Sequence, residues 1–424
     1  MPESIAVSQA ARDAEAAPER WVQQYRSVRA ASCALAANLA PEDTVVQSMP
    51  DASPTKWHLA HTTWFFEQFV LARAPDYRPL QPGWAFLFNS YYQTVGPMHA
   101  RPQRGLLSRP TLAEILDYRA RVDAQVCERL LHPVDADLAA LITLGLNHEQ
   151  QHQELLLTDI KHLFSLNPLE PAYRALSPGV RQTAPPLRFV AGAEGIHDIG
   201  HAGVGFAFDC ETPRHRVLLQ PHAIANRAVT NAEFADFIRA GGYRTPGLWM
   251  AEGWERVQRE GWRHPLYASE DMASEFTLGG RVATEPDAPV CHVSFFEADA
   301  FARWAGARLP TEAEWEVMAA SRPQQGNFVE SGLLRPQPAP SGDDVQQLFG
   351  DVWEWTASPY VAYPGYRPLP GALGEYNGKF MCGQYVLRGG SCVTPADHMR
   401  ASYRNFFAPA VRWQFAGLRL AKDR

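Results

Sequence analysis

Residues 135–165 read DADLAALITLGLNHEQQHQELLLTDIKHLFS. Apolar residues recur through this stretch at helical spacing, which predicts one long amphipathic helix. Inside it, His148-Glu149-Gln150-Gln151-His152 sets two imidazoles at i and i+4, one turn apart on one face, where both can grip one metal ion. The run also matches H-E-x-x-H, which would make Glu149 the general base of a zinc hydrolase with a third ligand further along the chain. Two solvent-facing histidines on a polar helix face are the competing explanation. Gln151 stands at i+3 from His148, so its amide points toward the same cavity and can hold an imidazole or a water.

Three further segments upstream have helical periodicity: 19–40, 53–72, where Ser53 reads as the N-cap and Pro54 as the first turn, and 110–131. Four amphipathic helices predict an antiparallel bundle. The second contains Trp57-His58-Leu59-Ala60-His61-Thr62, with histidines at i and i+3. Either His58 or His61 would complete a three-histidine face with His148 and His152; spacing does not choose between them. Such a face leaves open metal positions for substrate and dioxygen, as in non-haem iron sites. Asp51, just before the second helix, can reach a cationic ligand. The connection from about 73 to 109 is too long for a plain turn, and long loops are often functional. It carries Tyr91 and Tyr92, one of which can pack while the other donates a proton. It also carries Arg101 and Arg104, which can clamp a carboxylate by charge-assisted hydrogen bonds.

The style of the chain changes after residues 166–186, LNPLEPAYRALSPGVRQTAPP, a proline-rich linker. Only five of the 30 glycines precede residue 187. Beyond it, short apolar runs such as LRFV, HRVLL, CHVSFF and YVLRGG alternate with Gly and Pro, and only 231–242, 297–307 and 311–321 look helical. This predicts a loop-rich α+β domain. The expected organisation is a tail (1–18), a helical metal-binding bundle (19–165), the linker (166–186) and the α+β domain (187–424). Over 424 residues, 46% are hydrophobic and 20% charged, which excludes wholesale disorder. A net charge of −7 argues against a nucleic-acid partner. Six cysteines without a C-x-x-C pair fit neither a zinc ribbon nor a disulfide scaffold. No secretory h-region and no 18-residue apolar run appear, so no membrane association and a cytoplasmic location are expected.

In the second domain, LPTEAEWE (309–316), GDVWEWTASPY (350–360) and RGGS (388–391) resemble the formylglycine-generating-enzyme-like fold, related to C-type lectin folds. The first domain resembles the DinB-like four-helix bundle. Joined in this order, the two resemble the ergothioneine-biosynthesis sulfoxide synthases of EgtB type. That resemblance implies iron(II), dioxygen as co-substrate, and two small-molecule substrates: hercynine, the trimethylated betaine of histidine, and a thiol joined at its imidazole C2. SPTKWHLAHTTWFFE (53–67) then implies His61 as iron ligand with His148 and His152, and Gln151 as the holder of the hercynine imidazole. NSYYQTVG (89–96) implies Tyr91 and Tyr92 as the catalytic phenols, and RPQRG (101–105) implies Arg101 and Arg104 as donor-carboxylate clamps. Arg412-Trp413-Gln414-Phe415 resembles the loop that closes on the trimethylammonium group, with Trp413 and Phe415 as cation–π partners. Formylglycine-generating enzymes bind copper through a cysteine pair after the GGS motif. Here Cys392 stands alone, so sulfatase modification is not expected. Selenoneine synthases, which use a selenosugar donor, share the architecture, and no residue separates sulfur from selenium.

Overall fold

The computed structural model describes residues 18–179, 182–342 and 344–424; the expected tail, apart from Pro18, lies outside them. The chain divides into two compact units. The first is Met1–Leu166 with Ala202–Phe208 and Pro368–Tyr376; the second is Asn167–His201, Asp209–Arg367 and Asn377–Arg424.

The first unit is helical: α1 (Pro18–Ala36), α2 (Thr55–Phe69), the short α3 (Trp84–Phe88), α4 (Leu112–Leu130) and α5 (Ala136–Ser165). α2 buries every residue from Thr55 to Glu67, so it is apolar on no single stripe and serves as the inner helix. Trp21, Tyr25 and Val28 of α1, Phe66 of α2, Tyr118, Val122 and Val126 of α4, and Leu138, Ile142 and Leu146 of α5 form one continuous core. Each large side chain in it contributes about 1.5–3 kcal/mol by leaving water.

Burying a whole helix obliges its polar groups to find partners inside. The Lys56 ammonium donates to the carbonyls of Ser108 (3.1 Å) and Pro110 (2.8 Å). The Glu67 carboxylate accepts the hydroxyls of Tyr77 (2.8 Å) and Tyr118 (2.6 Å). Ser53 does not cap α2, which has Pro54 at the N-cap position and no side-chain cap. The Ser53 N–H donates instead to Asp159 on α5 (2.8 Å), and its hydroxyl accepts from Arg104 (2.9 Å). The tertiary partners win over local capping because both Ser53 groups are buried. α4 begins on a complete capping box, Thr111 with Glu114.

The second unit holds short strands and helices: β1 (Phe189–Ala191), β2 (Gly195–Ile199), β3 (His215–Leu219), β4 (His222–Ala225), α6 (Asn231–Arg239), α7 (Ala251–Glu260), β5 (Ser274–Thr277), β6 (Gly280–Ala283), α8 (Phe295–Trp304), α9 (Glu312–Ala319), β7 (Trp353–Pro359), β8 (Tyr385–Arg388), β9 (Asn405–Phe407), β10 (Ala416–Leu418) and β11 (Ala421–Asp423). The largest sheet has the order β10-β7-β8-β9, and a three-stranded sheet has the order β1-β4-β11. Trp315, Trp353 and Trp355 are fully buried in its core. There the Arg419–Glu354 ion pair (2.6 Å) accepts the Trp315 indole N–H on the same carboxylate (2.8 Å).

Two local readings change. CHVSFF contains no strand: Ser294 and Glu297 form a capping box that starts α8 at Phe295, and this local signal outweighs the apolar run. α7 was not expected; Gly253 interrupts its pattern, while Arg256–Glu260 (3.0 Å) and Arg259–Glu255 (3.1 Å) at i,i+4 support it. Among the described residues no helix is long and apolar enough to cross a membrane.

Gly145 lets α5 approach α2 closely: a Cβ there would stand 2.6 Å from Phe66 and 2.9 Å from Phe65, rings too buried to move away. Gly145→Ala gains about 1 kcal/mol of helix propensity. The overpacking should outweigh that and leave a net loss of about 1–2 kcal/mol in urea unfolding; a gain in stability would contradict the close approach.

Candidate metal centre

α2 brings His61, and α5 brings His148 and His152, to one place. One ligand atom from each lies within 4.8 Å of the others. His61 and His148 are buried and His152 is half-buried. The His61 Nε2 and His148 Nε2 atoms are 3.2 Å apart, and the ring centroids of the three are separated by 4.7–5.0 Å. Trp57 stacks on His61 at 4.7 Å and 10°, Trp64 lies at 5.6 Å and 16°, and Phe65 is 4.8 Å from His148.

This aromatic surrounding disfavours charge. Burial pushes the His148 imidazole down to about 4. Burial, helped by neighbouring His148, holds His61 well below the usual histidine range, and the same two causes hold down His152. At neutral pH all three present neutral nitrogen lone pairs, the form that binds metal. The second ring nitrogen is committed in two of them. His61 Nδ1 is hydrogen-bonded to the Phe88 carbonyl (2.6 Å), and His152 Nδ1 to His58 (2.8 Å). His148 Nδ1 is buried without a hydrogen-bond partner among the described residues. Three imidazoles without a carboxylate suit a divalent first-row metal with positions left open, not a closed four-ligand zinc site.

A buried cation lies beside this cluster. Arg104 is 3% exposed, with its guanidinium 3.4 Å over the Trp57 ring, on which His61 also stacks. Among the described residues it donates only to the hydroxyls of Ser53 and Ser90 (both 2.9 Å) and its Nε has no partner; burial lowers its pKa to about 9. No carboxylate forms an ion pair with it among the described residues. An unpaired buried cation is costly, so the site favours an anion there.

Family models match both parts of the chain: the DinB superfamily over residues 24–163, and the sulfatase-modifying factor enzyme 1-like domain over 185–342 and 337–424. The chain is 35% identical over 404 residues to a protein named hercynine oxygenase from Mycolicibacterium thermoresistibile, with 88% of each covered. It is 33% identical over 400 residues to the hercynine oxygenase of Mycobacterium tuberculosis, covering 88% of this chain and 92% of that one. The chain belongs to the EgtB-type hercynine oxygenase family. A formylglycine-generating enzyme of Streptomyces coelicolor is 32% identical over 277 residues, 52% of this chain and 84% of that one.

Against this EgtB-type background the remaining residues find their places. The Tyr91 hydroxyl accepts from Arg101 (2.8 Å), and Arg101 also donates to the backbone carbonyl of Asp51. The Asp51 side chain is exposed, so Asp51 is tied to this region through its main chain, not its carboxylate. Tyr92 is buried between Trp64, Phe65 and Phe69, and burial raises its pKa well above the ordinary phenol value. Gln151 is half-buried on α5, next to His152. Sequence reasoning missed Glu375 and Tyr376, which belong to the same compact unit. Glu375 accepts the backbone N–H groups of Gln93 (3.1 Å) and Thr94 (2.9 Å) and the Thr94 hydroxyl, and the Tyr376 ring lies 5.7 Å from that of Tyr91.

Two expectations are corrected. Phe415, in the second unit, is 1% exposed with its ring 4.7 Å from His292, so it is a packing side chain and offers no open face to a cation. Trp413 in the same unit is half-buried. Glu149 is not a free base beside the three histidines. It is fully buried, bonded to Arg29 (2.7 Å), Arg119 and Ser32 (2.6 Å), and those two guanidinium groups, against its burial, hold its carboxyl down to about 2. The zinc-hydrolase reading loses its base. Glu149→Gln would leave two buried arginines under-compensated, and an unfolding free energy lower by about 3–5 kcal/mol is expected in urea denaturation. Unchanged stability together with abolished turnover is the pattern of a catalytic base and would contradict the structural role.

Proposed function

We propose that the chain holds iron(II) on His61, His148 and His152 and uses dioxygen to join a thiol, cysteine or a close relative, to the imidazole C2 of hercynine. The observation that carries this reading is the cluster of three neutral imidazoles within one ligand sphere. The name shared by two relatives that each cover 88% of the chain, hercynine oxygenase, supports the substrate and the use of oxygen. Bound iron supplies the redox centre at which dioxygen and the sulfur donor meet. Everything else is positioning and proton handling by the chain.

Arg104, cationic, buried and unpaired, is the proposed partner of the donor carboxylate, with Arg101 beside it on the Tyr91 hydroxyl. A carboxylate there relieves the cost of the lone buried charge. Gln151, beside His152 on α5, is the proposed contact of the hercynine imidazole. Trp57, Trp64 and Phe65 keep water from the ligand nitrogens. Tyr92 stays a neutral phenol because burial opposes its ionisation, so its hydroxyl keeps a hydrogen to offer the reacting groups and is one candidate proton donor. Tyr91, hydrogen-bonded to Arg101, is the other candidate donor.

The decisive assay is product mass spectrometry after anaerobic iron(II) loading, with hercynine, donor and air. A C2–sulfur adduct of hercynine is expected with cysteine or a related thiol; none with any thiol overturns the sulfur reading. An adduct formed only with a selenosugar moves the donor to selenium. Tyr92→Phe should raise oxidation of the donor relative to adduct if its phenol supplies the proton, and Tyr91→Phe is read the same way. A product ratio unchanged in both variants removes the phenols from the reaction.

A further inference from the structure

α2 carries a fourth histidine, His58, three residues before His61 and 4% exposed. Its Nδ1 is 2.8 Å from His152 Nδ1, and its Nε2 is 3.0 Å from Asp159 Oδ2. Asp159 stands two turns beyond His152 on α5 and is itself buried. The same Asp159 oxygen accepts the backbone N–H of Ser53 at 2.8 Å. The three side chains form a line: carboxylate, imidazole, imidazole.

Hydrogen-bond valence orders the protons along this line. An ionised carboxylate only accepts, so the His58 Nε2 atom carries a hydrogen. In the uncharged ring, that hydrogen leaves the His58 lone pair on Nδ1. Two lone pairs cannot face each other at 2.8 Å, so the hydrogen between the rings belongs to His152 Nδ1. That leaves the lone pair of His152 on Nε2. In the other tautomer, Nε2 would carry a hydrogen and could not bind a metal there. The Ser53 N–H adds direction, because it requires an acceptor at the Asp159 oxygen that faces His58.

We propose that Asp159 and His58 are positioning residues, a two-step relay that fixes the tautomer and ring orientation of His152 so that Nε2 is presented as a metal ligand. His58 thus supports the site without ligating. The relay replaces the single carboxylate or carbonyl that usually orients a ligating histidine, and its loss should act at the scale known for such outer partners. His61 uses the simpler device, the Phe88 carbonyl. The inference rests on the three-histidine reading of the site but on no substrate or product.

The test is anaerobic titration of the metal-free chain with cobalt(II), following its visible absorption, alongside urea unfolding of each metal-free variant. His58→Phe removes the acceptor for His152 Nδ1–H and should weaken cobalt binding about 10–100-fold. His58→Asn places a carbonyl oxygen near the former Nδ1 and should recover most of the affinity. Asp159→Ala, acting from the far end and usable if His58→Phe does not fold, should lose about tenfold. Native protein that binds cobalt, with His58→Phe binding within twofold of it, overturns the relay alone. Losses that follow unfolding stability, with no recovery in His58→Asn, reduce His58 to a packing residue and also overturn it. Native protein that binds no cobalt overturns the metal site on which the relay rests.

Discussion

Glu149 is caught between Arg29 of α1 and Arg119 of α4, with Ser32 on the same carboxylate. This buried network fixes the rotation of α5 at the turn where His148 and His152 project. Glu149 and His148 are adjacent, so they leave the helix about 100° apart. With Glu149 directed at α1 and α4, His148 and His152 are directed at α2. The arginines are held in turn: Arg29 also bonds Asp123 and Thr63, and Arg119 bonds the Arg29 carbonyl. A buried ion network is a weak source of net stability but a strong penalty on any arrangement that leaves a member unpaired. Here that penalty penalises any turning of α5 that would move the imidazoles.

The opposite wall is set by packing. α2 lies against α1, α4 and α5 with its aromatic residues inside, and Gly145 permits the contact with Phe65 and Phe66. The low-polarity lining that results keeps the imidazoles neutral, and the same lining makes Arg104 an expensive cation without a carboxylate. One environment therefore has two consequences: it leaves the imidazoles with free lone pairs and leaves the Arg104 charge without a carboxylate among the described residues. The main-chain carbonyl of Phe88 and the His58–Asp159 pair then supply the directions that burial alone cannot.

The sequence was most legible where chemistry follows local spacing. The i,i+4 pair His148 and His152 and the helices around it could be read because periodicity survives without tertiary knowledge. The i,i+3 pair His58 and His61 could not be separated by spacing, since both share one face; their difference lies in what meets each ring, Asp159 and His152 in one case and Phe88 in the other. H-E-x-x-H suggested a base at Glu149 because its partners, 120 and 30 residues away, leave no trace at that position. Glu375, on residues 93 and 94 from some 280 residues away, was invisible for the same reason. Phe415 looked available because an aromatic in a loop motif carries no sign of its burial. The start of α8 at Phe295 was legible in the sequence, since Ser294 and Glu297 announce a capping box.

The three imidazoles of α2 and α5 are the proposed metal site of this family member. Anomalous X-ray scattering at the iron edge, from crystals of the chain loaded anaerobically with iron(II), addresses it without reference to substrate or turnover. The expected result is one strong iron peak contacted by His61, His148 and His152, with Glu149 still on Arg29 and Arg119. A peak bound elsewhere, or one that recruits Glu149 or His58 as a ligand, would contradict the account.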